Sequence, residues 1–248
     1  MTVFITGASS GFGAATARRF ARDGHQVILA ARRTDRIEQL AQELGNLALP
    51  VTMDVTDTPA IAPIIANLPK QFADIDVLVN NAGLALGLSS AQEADFSDWQ
   101  RMIETNCLGL VAVTRAVLPQ MVARKSGHVI NIGSVAGTYP YAGGNVYGAT
   151  KAFVHQFSLN LRSDLSGTNV RVTDISPGLT TGSEFSQVRY KGDEAQAAKT
   201  YQGAEPMTSE NIAEAIWWVT SLPPNVNINC IEMMATCQSL NGFNIYRK

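Results

Sequence analysis

Residues 2–13 constrain this chain more than any other segment. Thr2–Thr6 (Thr-Val-Phe-Ile-Thr) is a short apolar run of strand character, and Gly7-Ala8-Ser9-Ser10-Gly11-Phe12-Gly13 follows it directly. Helical spacing then begins at Ala14 and runs to Asp23, where Gly24 closes it. Glycines let the backbone turn sharply and approach a ligand closely, while the start of the helix presents unpaired N–H groups to an anion. The spacing is Gly-x-x-x-Gly-x-Gly, and at a first strand-to-helix junction it suits the pyrophosphate of a dinucleotide.

The rest of the chain repeats this alternation. Apolar strand patterns fall at Gln26–Ala31, Leu47–Met53, Asp76–Val79, His128–Ile132, Val170–Ile175 and Asn227–Met233. Helical patterns fall at Thr34–Leu44, Asp95–Val122 (with Pro119 as a kink or an end), Asn145–Ser166 and Ser209–Ser221. Continuous apolar strands alternating with helices predict a parallel sheet buried on both faces. At 248 residues the chain fits one α/β domain or two small ones. No linker divides it, so one domain over 1–248 is expected. Its least regular stretch, Pro177–Pro206, reads as a lid.

Composition narrows the partners. Hydrophobic residues make up 46% and net charge is −2, without a strongly basic run, so nucleic acid is not an expected partner. Three cysteines (Cys107, Cys230, Cys237) and three histidines lack metal-ligand spacing, so no metal is expected and the thiols read as reduced. Neither a leader nor a membrane span is visible, which predicts a soluble cytoplasmic protein.

At the end of the second strand pattern, a carboxylate would accept a hydrogen bond from the ribose 2′-hydroxyl of NAD. Ala30-Ala31-Arg32-Arg33 stands there instead. Two guanidiniums suit a 2′-phosphate, which predicts NADP; the plain alternative is two solvated arginines opening a helix. Asp54-Val55 would border the adenine. Asn81-Ala82-Gly83, within Asn80-Asn81-Ala82-Gly83, would line the groove after the fourth strand.

Tyr147 and Lys151 occupy i and i+4 of one helix face in Tyr-Gly-Ala-Thr-Lys. At roughly 4 Å and an effective dielectric near 20, the ammonium favours the phenolate by about 4 kcal/mol, or about 3 pKa units before desolvation. Such a phenol exchanges protons with an alcohol or carbonyl near neutral pH.

These residues together resemble the short-chain dehydrogenase/reductase family over the whole chain. The resemblance rests on Thr6-Gly7-x-x-x-Gly11-x-Gly13, Asn80-Asn81-Ala82-Gly83, Asn106, Ser134, Tyr147-x-x-x-Lys151 and Pro177-Gly178. It implies a single Rossmann-type domain: a doubly wound seven-stranded parallel sheet with helices on both faces. It also implies a nicotinamide cofactor and a homo-oligomer, a tetramer favoured, built on the two long helices. By the same resemblance, Tyr147 is the general acid/base and Ser134 orients the reacting oxygen. Lys151 lowers the tyrosine pKa and holds the nicotinamide ribose, and Asn106 holds a water leading to solvent. Pro177, Gly178 and Thr180 wrap the nicotinamide end.

Tyr139–Tyr147, Gly182–Ser186 and Asn227–Met234 look like the bacterial NADP-dependent 3-hydroxy acid dehydrogenases, which act on serine, L-allo-threonine, 3-hydroxyisobutyrate and malonic semialdehyde. A 3-hydroxy acid needs a cation for its carboxylate. Arg189 is the first candidate, because a guanidinium grips a carboxylate with two hydrogen bonds, and Lys191 is the second. Tyr139, Tyr141 and Phe185 form an aromatic wall or simply pack. Two other readings stay open: a reductase of bulkier ketones or secondary alcohols, and a noncatalytic NADP-binding sensor.

Overall fold

The computed structural model describes residues 1–240. Seven parallel strands form one sheet: β1 (Thr2–Thr6), β2 (Gln26–Ala31), β3 (Ala48–Thr52), β4 (Val77–Asn80), β5 (Gly127–Ile132), β6 (Val170–Pro177) and β7 (Cys230–Met233). Their spatial order is β3-β2-β1-β4-β5-β6-β7. The order reverses between β1 and β4, which opens a crevice at the carboxyl ends of those strands.

The helices cover both faces: α1 (Gly11–Arg22), α2 (Thr34–Leu44), α3 (Thr58–Ala66), α4 (Phe96–Ile103), α5 (Leu110–Arg124), α6 (Asn145–Asp164), α7 (Phe185–Arg189), α8 (Glu194–Lys199) and α9 (Ser209–Ser221). Strand side chains alternate between two cores, as the pleat requires. Val3 and Ile5 pack with Phe20 of α1, Ile37 of α2 and Ile216 of α9. Phe4 packs on the other face with Ile61 of α3, Val117 of α5 and Leu161 of α6.

Several expectations need correction. The edge strand β3 is half-buried to exposed rather than buried, because only β2 pairs with it. Pro119 neither ends nor interrupts α5, which continues to Arg124. The long helical run is broken instead by a π-helical turn at Glu104–Gly109. Helix α3 had no place in the sequence reading; Pro59 at its first turn and Pro63 inside it masked the pattern. The last strand begins only at Cys230, after an irregular approach from Asn227. The Pro177–Pro206 stretch contains two short helices, α7 and α8.

The run Phe96–Arg124 is long and apolar enough to cross a bilayer. Here Val113, Val117 and Met121 of that run are buried against the sheet. The polar end of the tail, 241–248, lies outside the described residues.

Candidate active site

A cleft of about 1140 Å³ opens along the carboxyl edge of the sheet. At one end lies the glycine turn. Gly7 takes φ +66°, and a Cβ there would come within 2.9 Å of Asn81 Nδ2. A Cβ on Gly13 would lie 2.5 Å from the carbonyl oxygen of Gly7. Only hydrogen fits at either place. Asn81 Nδ2 donates to the Thr6 carbonyl at 2.8 Å and to the Gly7 carbonyl at 3.2 Å, so the side chain braces the turn from β4. Gly7, Ser9, Ser10, Gly11 and Phe12 line the cleft, whereas Ala8 and Gly13 are buried.

Ser10 precedes α1 without a side-chain cap, and its hydroxyl instead accepts from Arg33 Nη2 at 2.9 Å. The first-turn amides of α1 are thereby left to an outside acceptor. Asp54, Val55, Ala82 and Gly83 line the same cleft.

The two arginines differ. Arg32 is exposed and lies 3.8 Å from Asp54, a loose pair. Arg33 is half-buried and donates to Ser9 Oγ at 2.9 Å and to Glu184 Oε2 at 2.6 Å. Arg36, one helical turn on, donates to Glu184 Oε1 at 2.7 Å. A carboxylate of the 177–206 segment therefore sits on the arginine patch. Ser183 beside it presses on Gly11, where a Cβ would come within 2.6 Å of the serine Cβ. Sequence reasoning found Arg33 but missed Arg36 and the pairing role of Glu184; a third arginine one turn along α2 was the available signal.

At the other end, α6 presents Tyr147 and Lys151 into the cleft, both 7% exposed. Lys151 Nζ donates to the Ile132 carbonyl at 2.7 Å and stands 5.9 Å from the centroid of the Tyr147 ring. The desolvation left out of the charge argument is large here. Burial is the largest influence and pushes the Tyr147 phenol up to about 12. The Ser134 hydroxyl and the Arg189 guanidinium act in the opposite direction. Burial likewise pulls the Lys151 ammonium down to about 8, partly offset by Asp174 and Cys107.

Ser134 follows β5, and its Oγ donates to the Pro177 carbonyl at 3.4 Å while accepting from Ala136 N at 3.2 Å. Asn106 lies in the π-helical turn, buried behind Lys151. Its amide donates to the Leu84 carbonyl at 2.8 Å and to Thr150 Oγ1 at 3.0 Å, and Oδ1 accepts from Leu84 N at 2.9 Å. The Oδ1 and one amide hydrogen thus brace the chain after β4, and the other hydrogen ties the π-helical turn to α6.

Arg189 of α7 reaches back over the site. Its guanidinium carbon lies 5.5 Å from the Tyr147 ring centroid and 5.3 Å from that of Tyr141, and Nη2 donates to the Tyr141 hydroxyl at 2.5 Å. No carboxylate among the described residues pairs with it. Lys191 instead pairs with Asp98 at 2.7 Å. Phe185 packs at 5.6 Å from the Tyr147 ring, completing an apolar wall with Tyr141. Tyr139 also lines the cleft, and its hydroxyl donates to Glu232 at 3.0 Å.

Pro177, Gly178 and Thr180 line the cleft. The tail closes over them: Gln238 Oε1 accepts from Leu179 N at 2.6 Å, and Met234 and Gln238 join the lining. Sequence reasoning missed this place of the tail at the cleft.

A family model described as short chain dehydrogenase matches residues 1–193. The chain is 58% identical over 247 residues to the NADP-dependent 3-hydroxy acid dehydrogenase of Salmonella typhi, covering 100% of each. It is 50% identical to a serine 3-dehydrogenase of Agrobacterium fabrum, covering 100% of this chain and 98% of the relative. A solved structure described as the closed form of serine dehydrogenase complexed with NADP+ superposes with a TM-score of 0.99 at 56% identity, covering 100% of both chains.

Proposed function

The chain belongs to the short-chain dehydrogenase/reductase family, and on that premise we propose that it is an NADP-dependent oxidoreductase of small 3-hydroxy acids and their 3-oxo partners. The observation that carries the substrate class is Arg189, a guanidinium without a carboxylate partner among the described residues, held beside the buried Tyr147 phenol.

The residues fit the cofactor. The free amides of α1 and the close-packed Gly7 suit the pyrophosphate, and Arg33 with Arg36 suits the 2′-phosphate. Bound there, NADP would supply the acceptor or donor for the hydride of the substrate's carbinol carbon. In oxidation, Tyr147 takes the hydroxyl proton as that C–H bond breaks and the carbonyl forms; reduction returns the proton from Tyr147. Ser134 hydrogen-bonds the same oxygen and orients it. Lys151 supplies the positive charge behind the phenol. Burial holds the phenol up at about 12, so its acidity depends on the positive charges beside it, of which Arg189 and Lys151 are two.

Arg189 holds the substrate carboxylate, and Tyr141 holds Arg189. Phe185 and Tyr141 pack with Tyr147 as the apolar wall beside that carboxylate site. Residues 177–206 act as a lid, with Glu184 and Lys191 as its two ionic fastenings. The enzyme works in the cytoplasm as a homo-oligomer, favouring a tetramer. Ile103, Leu108 and Phe153 support this reading, since all three are large exposed apolar side chains on the α4–α6 helices.

Initial rates with serine, allo-threonine, 3-hydroxypropionate and an aryl ketone, each with NADP and NAD, test the proposal. The hydroxy acids with NADP should give the highest kcat/KM. A preference for the aryl ketone would overturn the substrate class.

A further inference from the structure

Among the described residues, Lys151 and Asp174 are the buried members of the Lys, Arg, Asp and Glu set, at 7% and 0% exposure. A buried charge is costly unless an opposite charge or strong hydrogen bonds accompany it. Lys151 has the Ile132 carbonyl as acceptor. Gly133, the next residue, packs directly on Asp174: a Cβ there would collide with Asp174 Oδ1 and Ser176 Oγ. The Asp174 carboxylate therefore lies immediately behind the strand end that receives the ammonium.

Asp174 is held on one side only. Its Oδ2 accepts from Ser176 Oγ at 3.0 Å, lies 2.8 Å from His155 Nδ1 and is 3.8 Å from Cys230 Sγ. Oδ1 is buried without a hydrogen-bond partner. His155 stands one turn beyond Lys151 on α6, so Tyr147, Lys151 and His155 share a helix face and Asp174 faces it from β6. His155, Asp174 and Cys230 also have metal-ligand chemistry and gather within 4.8 Å. The 2.8 Å His155–Asp174 separation is that of a hydrogen bond, which accounts for the pair without an ion.

We propose that Asp174 is a positioning residue for the reaction: a buried counter-charge, fixed by His155 and Ser176, that keeps Lys151 protonated and thereby keeps positive charge behind Tyr147. The inference rests on the function proposed above for its catalytic consequence, but its electrostatic content does not. The titratable groups around Lys151 are Tyr147 and His155 on its own helix, Cys107 from the π-helical turn and Asp174 from β6; Cys230 of β7 touches Asp174, and Arg189 faces Tyr147. Of the groups acting on the ammonium, Asp174 is the largest that resists its loss of a proton by burial.

The direct test is the side-chain NMR titration of Lys151, ¹³C-labelled at lysine, in the cofactor-free chain. The wild-type ammonium should titrate near 8. Asp174→Asn should move that midpoint down by about one pH unit or more, since it removes one favourable neighbouring charge. The alkaline limb of kcat/KM for carbonyl reduction should move down with it. Asp174→Ser supplies a second neutral side chain at the position, so the test does not depend on one variant folding. A lowered melting temperature with an unchanged Lys151 midpoint would mean a purely structural Asp174 and would overturn the inference. A wild-type chain that turns over no hydroxy acid would overturn the proposed function instead, leaving the NMR result to stand or fall alone.

Discussion

The guanidinium of Arg189 stands over the ring of Tyr147, 5.5 Å from its centroid. This relationship joins the two demands that a 3-hydroxy acid makes on a protein. The hydroxyl must meet a proton acceptor, and the carboxylate, separated from the carbinol carbon by one intervening carbon, must meet a cation. The two groups come from elements far apart in sequence, α6 and α7, brought together by the return of the chain after β6.

Arg189→Ala should raise KM for serine and 3-hydroxypropionate by roughly ten- to a hundredfold, the loss of a charge-assisted hydrogen bond worth about 1.5–3 kcal/mol. A neutral secondary alcohol of similar size should be much less affected. Steady-state kinetics on both substrates checks this, and an equal loss on both would take Arg189 out of the site.

Arg33→Ala should weaken NADPH binding by roughly ten- to a hundredfold, on the same energetic grounds, while leaving NADH binding nearly unchanged. Fluorescence titration with the two cofactors measures the difference directly. A parallel loss for both would assign Arg33 to holding the Ser9–Ser10 turn rather than to the 2′-phosphate.

Glu184 spans Arg33 and Arg36 and holds residues 183–184 against the glycine turn. Glu184→Gln removes the charge of this network, so the lid should open more often. Trypsin should then cut at Arg189, Lys191 or Lys199 several-fold faster than in the wild type, without a comparable change in global stability. Unchanged cleavage would show that the fastening contributes nothing to closure.

His128 is buried, its Nε2 is 2.8 Å from Thr173 Oγ1, and burial pulls its pKa from 6.5 to about 3. The folded chain keeps this imidazole neutral where the unfolded chain protonates it. The stability tied to the neutral ring is fully present above pH 6.5 and is lost as pH falls toward 3. The slope approaches about 1.4 kcal/mol per pH unit below the unfolded pKa. Urea unfolding at pH 7 and pH 5 should give a smaller difference for His128→Gln than for the wild type. Equal differences would assign the acid sensitivity elsewhere.

The sheet was legible because its strands are continuous apolar runs punctuated by glycine. The glycine turn, Asn81 and the Tyr147–Lys151 pair were legible because their partners are local or follow from the strand order. Other features were hidden for identifiable reasons. Pro59 and Pro63 concealed α3, since proline is read as a breaker although it is tolerated in a first turn. The π-helical turn at Glu104–Gly109 carries no glycine or proline at its start, while Pro119, which does, falls inside a continuous helix.

Pairings across long separations left no trace in spacing. Arg33 and Glu184 are 151 residues apart, and the tail residue Gln238 reaches Leu179 from 59 residues away. The acidity of Tyr147 was only half legible: a charge at i+4 can be counted from sequence, but the burial that opposes it cannot.

The central claim is that the Tyr147 hydroxyl carries the proton of the reaction. The most direct measurement is Tyr147→Phe, with NADPH binding and turnover of 3-hydroxy acids determined on the same preparation. The account predicts NADPH affinity close to that of the wild type and a kcat lower by roughly 10²–10⁴-fold or more, the range of a lost general acid/base. A variant that binds NADPH and still turns over at near wild-type rate would contradict it.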